Sequence, residues 1–133
     1  MKAYIAGPLW KEENRNKLEE IDVICKELSI DTFLPHRDVG IYHGKDSKKF
    51  FKGDSEFLDE CDLVIALLDW KSVGSGTAWE IGYAYAKKIP VIGLVEDIDS
   101  LEMPERTCVM VFNSVELVDS LKKLKERLES SCS

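Results

Sequence analysis

Apolar residues along this chain switch period repeatedly, and each switch marks an element. Lys2 to Ala6 is a short apolar run that stops at Gly7-Pro8, the pattern of a buried strand. From Glu12 to Leu28 the residues Leu18, Ile21, Ile24, Cys25 and Leu28 recur at helical spacing. Asp31 to Leu34 reads as a second short strand closed by Pro35, and His36 to Lys48, with two glycines and mixed charge, as a loop. Lys49 to Glu60 predicts a helix with Phe50, Phe51, Phe57 and Leu58 on its apolar side. Leu63 to Leu68 is continuously apolar, as expected of a central parallel strand covered on both faces. Asp69 to Gly76 reads as a loop, Thr77 to Lys88 as a helix, and Val91 to Leu94 as a strand after the stop at Pro90. Cys108 to Phe112 predicts a fifth strand, and Val115 to Leu128 a closing helix through Leu117, Leu121, Leu124 and Leu128.

Such alternation means βαβ units and a parallel sheet with helices on both faces. The expectation is a single domain over residues 1–133: a doubly wound α/β fold, flavodoxin-like, with five strands in the order 2-1-3-4-5. Ligands then bind beyond the C-terminal strand ends, near the switch point between strands one and three. Gly7 to Glu12, Pro35 to His43, the helix before strand three, and Asp69 to Glu80 converge there. Their reactive members, with strand one, are Tyr4, His36, Arg37, Asp38, Asp54, Asp69, Ser75 and Glu80.

Composition narrows the picture. A chain of 133 residues has enough core to stand without staples. Its net charge of −7 argues against a nucleic-acid polymer as partner, while leaving room for a small anionic ligand held by local groups. The first apolar run is too short for a signal peptide or a membrane span, so a cytoplasmic protein with no membrane partner is expected. None of Cys25, Cys61, Cys108 and Cys132 forms a C-x-x-C pair, which removes zinc-ribbon and thioredoxin-type readings and predicts free thiols.

The candidate chemistry then reduces to carboxylates. His36 and His43 lie in a loop, and no histidine sits on a helix at metal-ligand spacing, so neither a metal nor another cofactor is expected. Asp69 ends strand three as a phospho-acceptor would, but strand one ends in Ala6-Gly7-Pro8 and strand five in Phe112-Asn113-Ser114, without the acidic pair and lysine a receiver domain needs. Gly74-Ser75-Gly76 is not G-x-G-x-x-G and does not follow strand one; it remains a small-residue turn that can receive a phosphate or sugar hydroxyl. Glu80 and Asp54 could divide the breaking of a sugar–base bond, one attacking the anomeric carbon and the other protonating the leaving group. Each has a plainer alternative. Thr77 to Glu80 fits a capping box, and Asp54 could be a solvated helix residue or a cap.

Four stretches resemble the nucleoside 2-deoxyribosyltransferase family, which includes the 2'-deoxynucleoside 5'-phosphate N-hydrolases: YIAGPLW, FLPHRD, GDSEFLDECDLVIALLD and, most specifically, SGTAWEIGYAYAKKIPVIGL. The likeness runs from Met1 to Leu94 and more loosely to Phe112. It implies a covalent deoxyribosyl intermediate on Glu80, proton transfer at the leaving base by Asp54, and a Tyr4 that orients the nucleophile. It also implies that Gly7, Pro8 and Leu9 line the sugar and base pocket, and that the chain forms a homo-oligomer whose neighbour completes the site. The Gly74-Ser75-Gly76 turn would let backbone approach the sugar, and the positive helix end would help keep Glu80 ionised.

The chain departs from the family pattern at the 5' end of the substrate. Where many transferases carry an aspartate, six residues before the nucleophile, this chain has Gly74; the hydrolases carry a serine there, and the nearest here are Ser72 and Ser75. The last residues given, Ser130-Ser131-Cys132-Ser133, supply no terminal aromatic of the kind known transferases place in a neighbour's site. His36, Arg37 and Ser75 are candidates for an anion site, against the alternative that Arg37 simply pairs with Asp38. The leading expectation is 2-deoxyribosyl transfer between nucleobases. Its rival is hydrolysis of a deoxynucleoside 5'-monophosphate, and a third reading is a nucleotide-binding module without turnover.

Overall fold

The computed structural model describes residues 1–69, 71–96 and 107–132. Its elements, in chain order, are β1 (Lys2–Ala6), α1 (Glu12–Glu27), β2 (Asp31–Phe33), α2 (Pro35–Asp38), α3 (Ser47–Glu60), β3 (Leu63–Leu67), α4 (Ser75–Ala86), β4 (Val91–Leu94), α5 (Val109–Asn113), β5 (Glu116–Val118) and α6 (Leu121–Cys132). The strands form one five-stranded sheet in the order β2-β1-β3-β4-β5, every pair parallel, as expected for a doubly wound fold.

Strand alternation splits the core in two. On one face Tyr4, Ala6, Val64 and Ala66 pack under α3, α4 and α5 through Leu58, Ile81, Ala84 and Phe112. On the other, Ala3, Ile5, Ile65 and Ile92 pack against Leu18, Ile21 and Cys25 of α1 and Leu124 and Leu128 of α6. β1 lies between β2 and β3, with Tyr4 in register with both Phe33 and Val64. No helix among the described residues is long and apolar enough to cross a membrane.

Four local expectations are corrected. Cys108 to Phe112 is not a strand. Val109–Asn113 is a short helix, with adjacent Val111 and Phe112 both buried instead of alternating, and the fifth strand is Glu116–Val118. The closing helix therefore begins at Leu121 instead of Val115, where Ser120 Oγ accepts the Lys123 N–H at 3.1 Å and caps it. Leu117 matched the leucine spacing of that helix by coincidence. Within the presumed loop His36 to Lys48, α2 forms one turn, started by Pro35 at its first position. The loop read over Asp69 to Gly76 includes position 70, outside the described residues; its end is helical, because α4 starts at Ser75 with Gly74 as its N-cap.

Candidate active site

Beyond the C-terminal ends of β1 and β3 lies a cavity of about 730 Å³, within the range of small-molecule sites. The loop Gly7, Pro8, Leu9 and Trp10 after β1 forms one wall. Gly74, Ser75, Gly76, Trp79 and Glu80 at the start of α4 form a second. Phe50, Phe51, Asp54 and Ser55 of α3 form a third, and Pro35 with Gly40, Ile41 and Tyr42 a fourth.

Helical spacing explains the α3 wall. Phe50, Asp54 and Leu58 are four apart, so one face of α3 carries an aromatic, a carboxyl and a core anchor. Leu58 is fully buried and pins that face to the sheet. Burial raises Asp54 to about 6, and its Oδ1 is buried with no hydrogen-bond partner among the described residues. Unpaired buried oxygens are uncommon, and this one borders a cavity.

Glu80 lies in the second turn of α4 and accepts a hydrogen bond from the Tyr4 hydroxyl. Burial raises Glu80 to about 7; the Tyr4 hydrogen bond opposes that rise, and the nearby Asp54 charge adds to it. The Tyr4 hydroxyl is pushed far above its usual range, first by burial and then by Glu80 and Asp54, so it stays a proton donor. Tyr4 itself is fully buried; its ring stacks on Phe33 with centroids 5.3 Å apart, and Phe33 stacks on Phe57 at 4.7 Å. This apolar layer keeps the Tyr4 ring out of water behind Glu80.

Two expectations about Glu80 are corrected here. The capping box is not formed: Thr77 is buried inside the helix, and Glu80 turns to Tyr4 instead of back to the helix start. The helix end does not hold Glu80 ionised either, since the dipole fades within the first turn and the carboxyl is raised.

Gly7, Pro8, Leu9, Asp54, Gly74, Ser75, Gly76 and Glu80 are thus brought together around the cavity, with Tyr4 behind Glu80. His36 and Arg37 are not among its lining residues. His36 Nε2 lies 3.2 Å from Glu19 Oε1, and Arg37 forms a fork with Asp38 (Nε to Oδ1 2.9 Å, Nη2 to Oδ2 2.8 Å) and reaches Asp22 at 3.0 Å. Both face α1, so the anion site expected from them with Ser75 is not assembled.

The α3 aromatics were not read as cavity walls. Phe51, read only as part of the helix's apolar side, is 62% exposed and meets Trp79 edge-on at 5.7 Å, while Trp10 is 72% exposed. The spacing Phe50-x-x-x-Asp54 was the available signal. A second, more polar cavity of about 610 Å³ shares Pro8, Gly74 and Thr77 with the first and is lined by Lys11, Asn14, Asp69 and Ser72 among others.

The sequence model of the family described as nucleoside 2-deoxyribosyltransferase matches residues 3–128. No curated relative matches by sequence. Among solved structures, a protein from Enterococcus faecalis V583 is 26% identical with a TM-score of 0.83, covering 98% of each chain. A 2-deoxyribosyltransferase from Bacillus psychrosaccharolyticus is 19% identical with a TM-score of 0.79, over 99% of this chain and 96% of that one. The CMP N-glycosidase of Clostridium botulinum is 19% identical with a TM-score of 0.67, over 98% of this chain and 99% of that one. The last two likenesses speak to fold, whereas the family match spans nearly the whole chain: it belongs to the nucleoside 2-deoxyribosyltransferase family and is an enzyme of the N-glycosidic bond.

Proposed function

We propose that this chain cleaves the N-glycosidic bond of a 2'-deoxynucleoside and passes the deoxyribosyl group to a second base through an ester on Glu80. The observation that carries this reading is a pair of raised carboxyls in unlike surroundings. Glu80 receives the Tyr4 hydrogen bond, whereas Asp54 has a buried oxygen without a partner among the described residues. Near neutral pH the pair holds about one proton. Glu80, at about 7, holds a proton more tightly than Asp54, at about 6, so the reactive form is the minor one-proton state, in which the Tyr4 hydroxyl supports the charge on Glu80 and Asp54 carries the proton. Glu80 then attacks C1' as the C1'–N bond breaks, and the Asp54 proton goes to the departing base. A second base attacks C1', returns a proton to Asp54 and releases Glu80.

Trp10, Tyr42, Phe50, Phe51 and Trp79 favour flat bases over water as occupants. The described lining residues include no lysine, arginine or histidine, which suits a free 5'-hydroxyl. One observation favours the rival hydrolysis of 5'-monophosphates. A 5'-phosphate reaching past Gly74 into the second cavity would meet Lys11, which has no ion pair among the described residues. Product analysis on thymidine and on its 5'-monophosphate, each with and without adenine, separates the readings. Deoxyadenosine from thymidine is the expected result. Thymine and deoxyribose 5-phosphate from the monophosphate alone, unchanged by adenine, would establish the hydrolase. Binding without product from either would leave the non-catalytic module.

The working unit in this reading is a homo-oligomer. Apart from Glu80, α4 carries no charged residue. Its Gly82, Tyr85 and Ala86 are exposed, as are Val109 and Met110 of the neighbouring α5, uncharged positions on a chain of net charge −7. A second copy covering these positions would lie along the helix that carries the nucleophile.

A further inference from the structure

We propose that Arg37 is a positioning residue that holds the substrate wall Pro35 to Tyr42 in place from outside the cavity; this rests on the reading that the cavity takes a nucleoside.

Asp22 is only 5% exposed, a carboxylate on an otherwise apolar face of α1. A buried charge persists only when it is paired. Its partners are the Thr32 hydroxyl, Lys26 Nζ at 2.9 Å and Arg37 Nη1 at 3.0 Å. The same guanidinium donates to both oxygens of Asp38 and, at 3.1 Å, to the Thr32 carbonyl. Asp38 in turn accepts the Leu34 N–H at 2.8 Å and folds α2 onto its own start. One planar group thus ties α1, β2 and α2 together. Lysine, a single point donor, has no such reach.

This tie bears on the cavity through the chain that follows. α2 is four residues long, too short to be stable alone. Between it and α3 the backbone turns at Gly40 (φ +113°), Gly44 (φ +97°) and Asp46 (φ +60°), without ladder hydrogen bonds of its own. Val39 and Gly40 donate back to the Pro35 carbonyl, each at 3.0 Å, so α2 holds the start of the wall, while Val39 beside Gly53 and Tyr42 beside Phe50 rest its inner side on α3. Arg37 touches none of the cavity and acts only through this anchor.

The test compares Arg37→Ala, Arg37→Lys and Asp22→Asn with the wild-type chain in steady-state nucleoside cleavage and in amide hydrogen exchange over residues 39–42. Expected for Arg37→Ala is a KM about tenfold higher with a smaller change in kcat, the pattern of lost ground-state positioning. Exchange at 39–42 should be faster while β1 and β3 keep their protection. Arg37→Lys should fall between, and it carries the test if the alanine variant does not fold. Unchanged KM with unchanged exchange overturns the proposal, as does a loss of rate that only follows the folded fraction. If the wild-type chain cleaves no nucleoside, the proposed function fails, and the exchange comparison, which needs no substrate, still decides the role of Arg37.

Discussion

Tyr4, Asp54 and Glu80 show how one buried site can prepare two carboxyls for different tasks. Burial lifts both, and the Tyr4 hydroxyl, which bonds only Glu80, opposes the rise there in part, leaving Glu80 at about 7 and Asp54 at about 6. The proposed active form has Glu80 ionised and Asp54 protonated, so a bell-shaped pH profile of kcat/KM follows. Its acid limb is protonation of Glu80 and its alkaline limb is ionisation of Asp54. With the carboxyls at about 7 and about 6 and coupled, the optimum lies close to that range. Asp54→Asn should erase the alkaline limb and lower kcat/KM by roughly 10²- to 10⁴-fold. Persistence of that limb in the variant would mean that another group delivers the proton.

Among the elements, α3 depends on close approach. A Cβ at Gly53 would sit 2.8 Å from Val39 Cγ2, so the helix presses on the substrate wall only because position 53 is glycine. Gly53→Ala would gain up to about 1 kcal/mol in helix propensity and lose a similar amount as Val39 gives way. The expected outcome is a nearly unchanged Tm with a fall in kcat/KM of about tenfold or more, as Asp54 next door is displaced. A changed Tm with unaltered kinetics would count against it. The element level is also where the sequence was most legible. Period changes located β1, α1, β3, α4 and β4 to within about two residues, because buried strands and amphipathic helices write their burial into spacing. They did not tell Val109–Asn113 from a strand, since a short apolar run suits either. Nor did they reveal the cavity walls: an apolar stripe on α3 marks a side that avoids water without saying whether core or ligand covers it. Arg37 was visible as a charge, but its partner Asp22, fifteen residues upstream on an apolar face, leaves no pattern.

For the molecule as a whole, the site costs stability. Asp54 and Glu80 bind protons more tightly folded than unfolded, so their contribution is full below about pH 4 and is lost as pH rises through about 6 to 7. Asp22 and Asp38, held below the usual carboxylate range, act in the opposite sense and lose their contribution as pH falls. For Asp22 burial works against that lowering and the Thr32 and Lys26 hydrogen bonds outweigh it, while for Asp38 the Arg37 hydrogen bond leads. Glu80→Gln should abolish turnover and flatten the decline between pH 5 and 7.5, read from urea unfolding at each pH. An unaltered decline would show that Glu80 does not titrate there. The exposed uncharged positions of α4 and α5 make a separate forecast: Tyr85→Lys should shift sedimentation toward the monomer, and a wild-type chain that already sediments as a monomer would dismiss the homo-oligomer.

Tyr4 belongs to a strand flanked on both sides, while the wall over Gly40 to Tyr42 is tied back through Arg37 and α2 and rests on α3 through Val39 and Tyr42. In the proposed reading Tyr4 is held by the sheet, whereas Asp54 shares α3 with the residues that meet the wall. A library of replacements at residues 40–43, screened for new nucleobases, would therefore leave Tyr4 in place and trade selectivity against the placement of Asp54, which makes this chain a partly divisible scaffold.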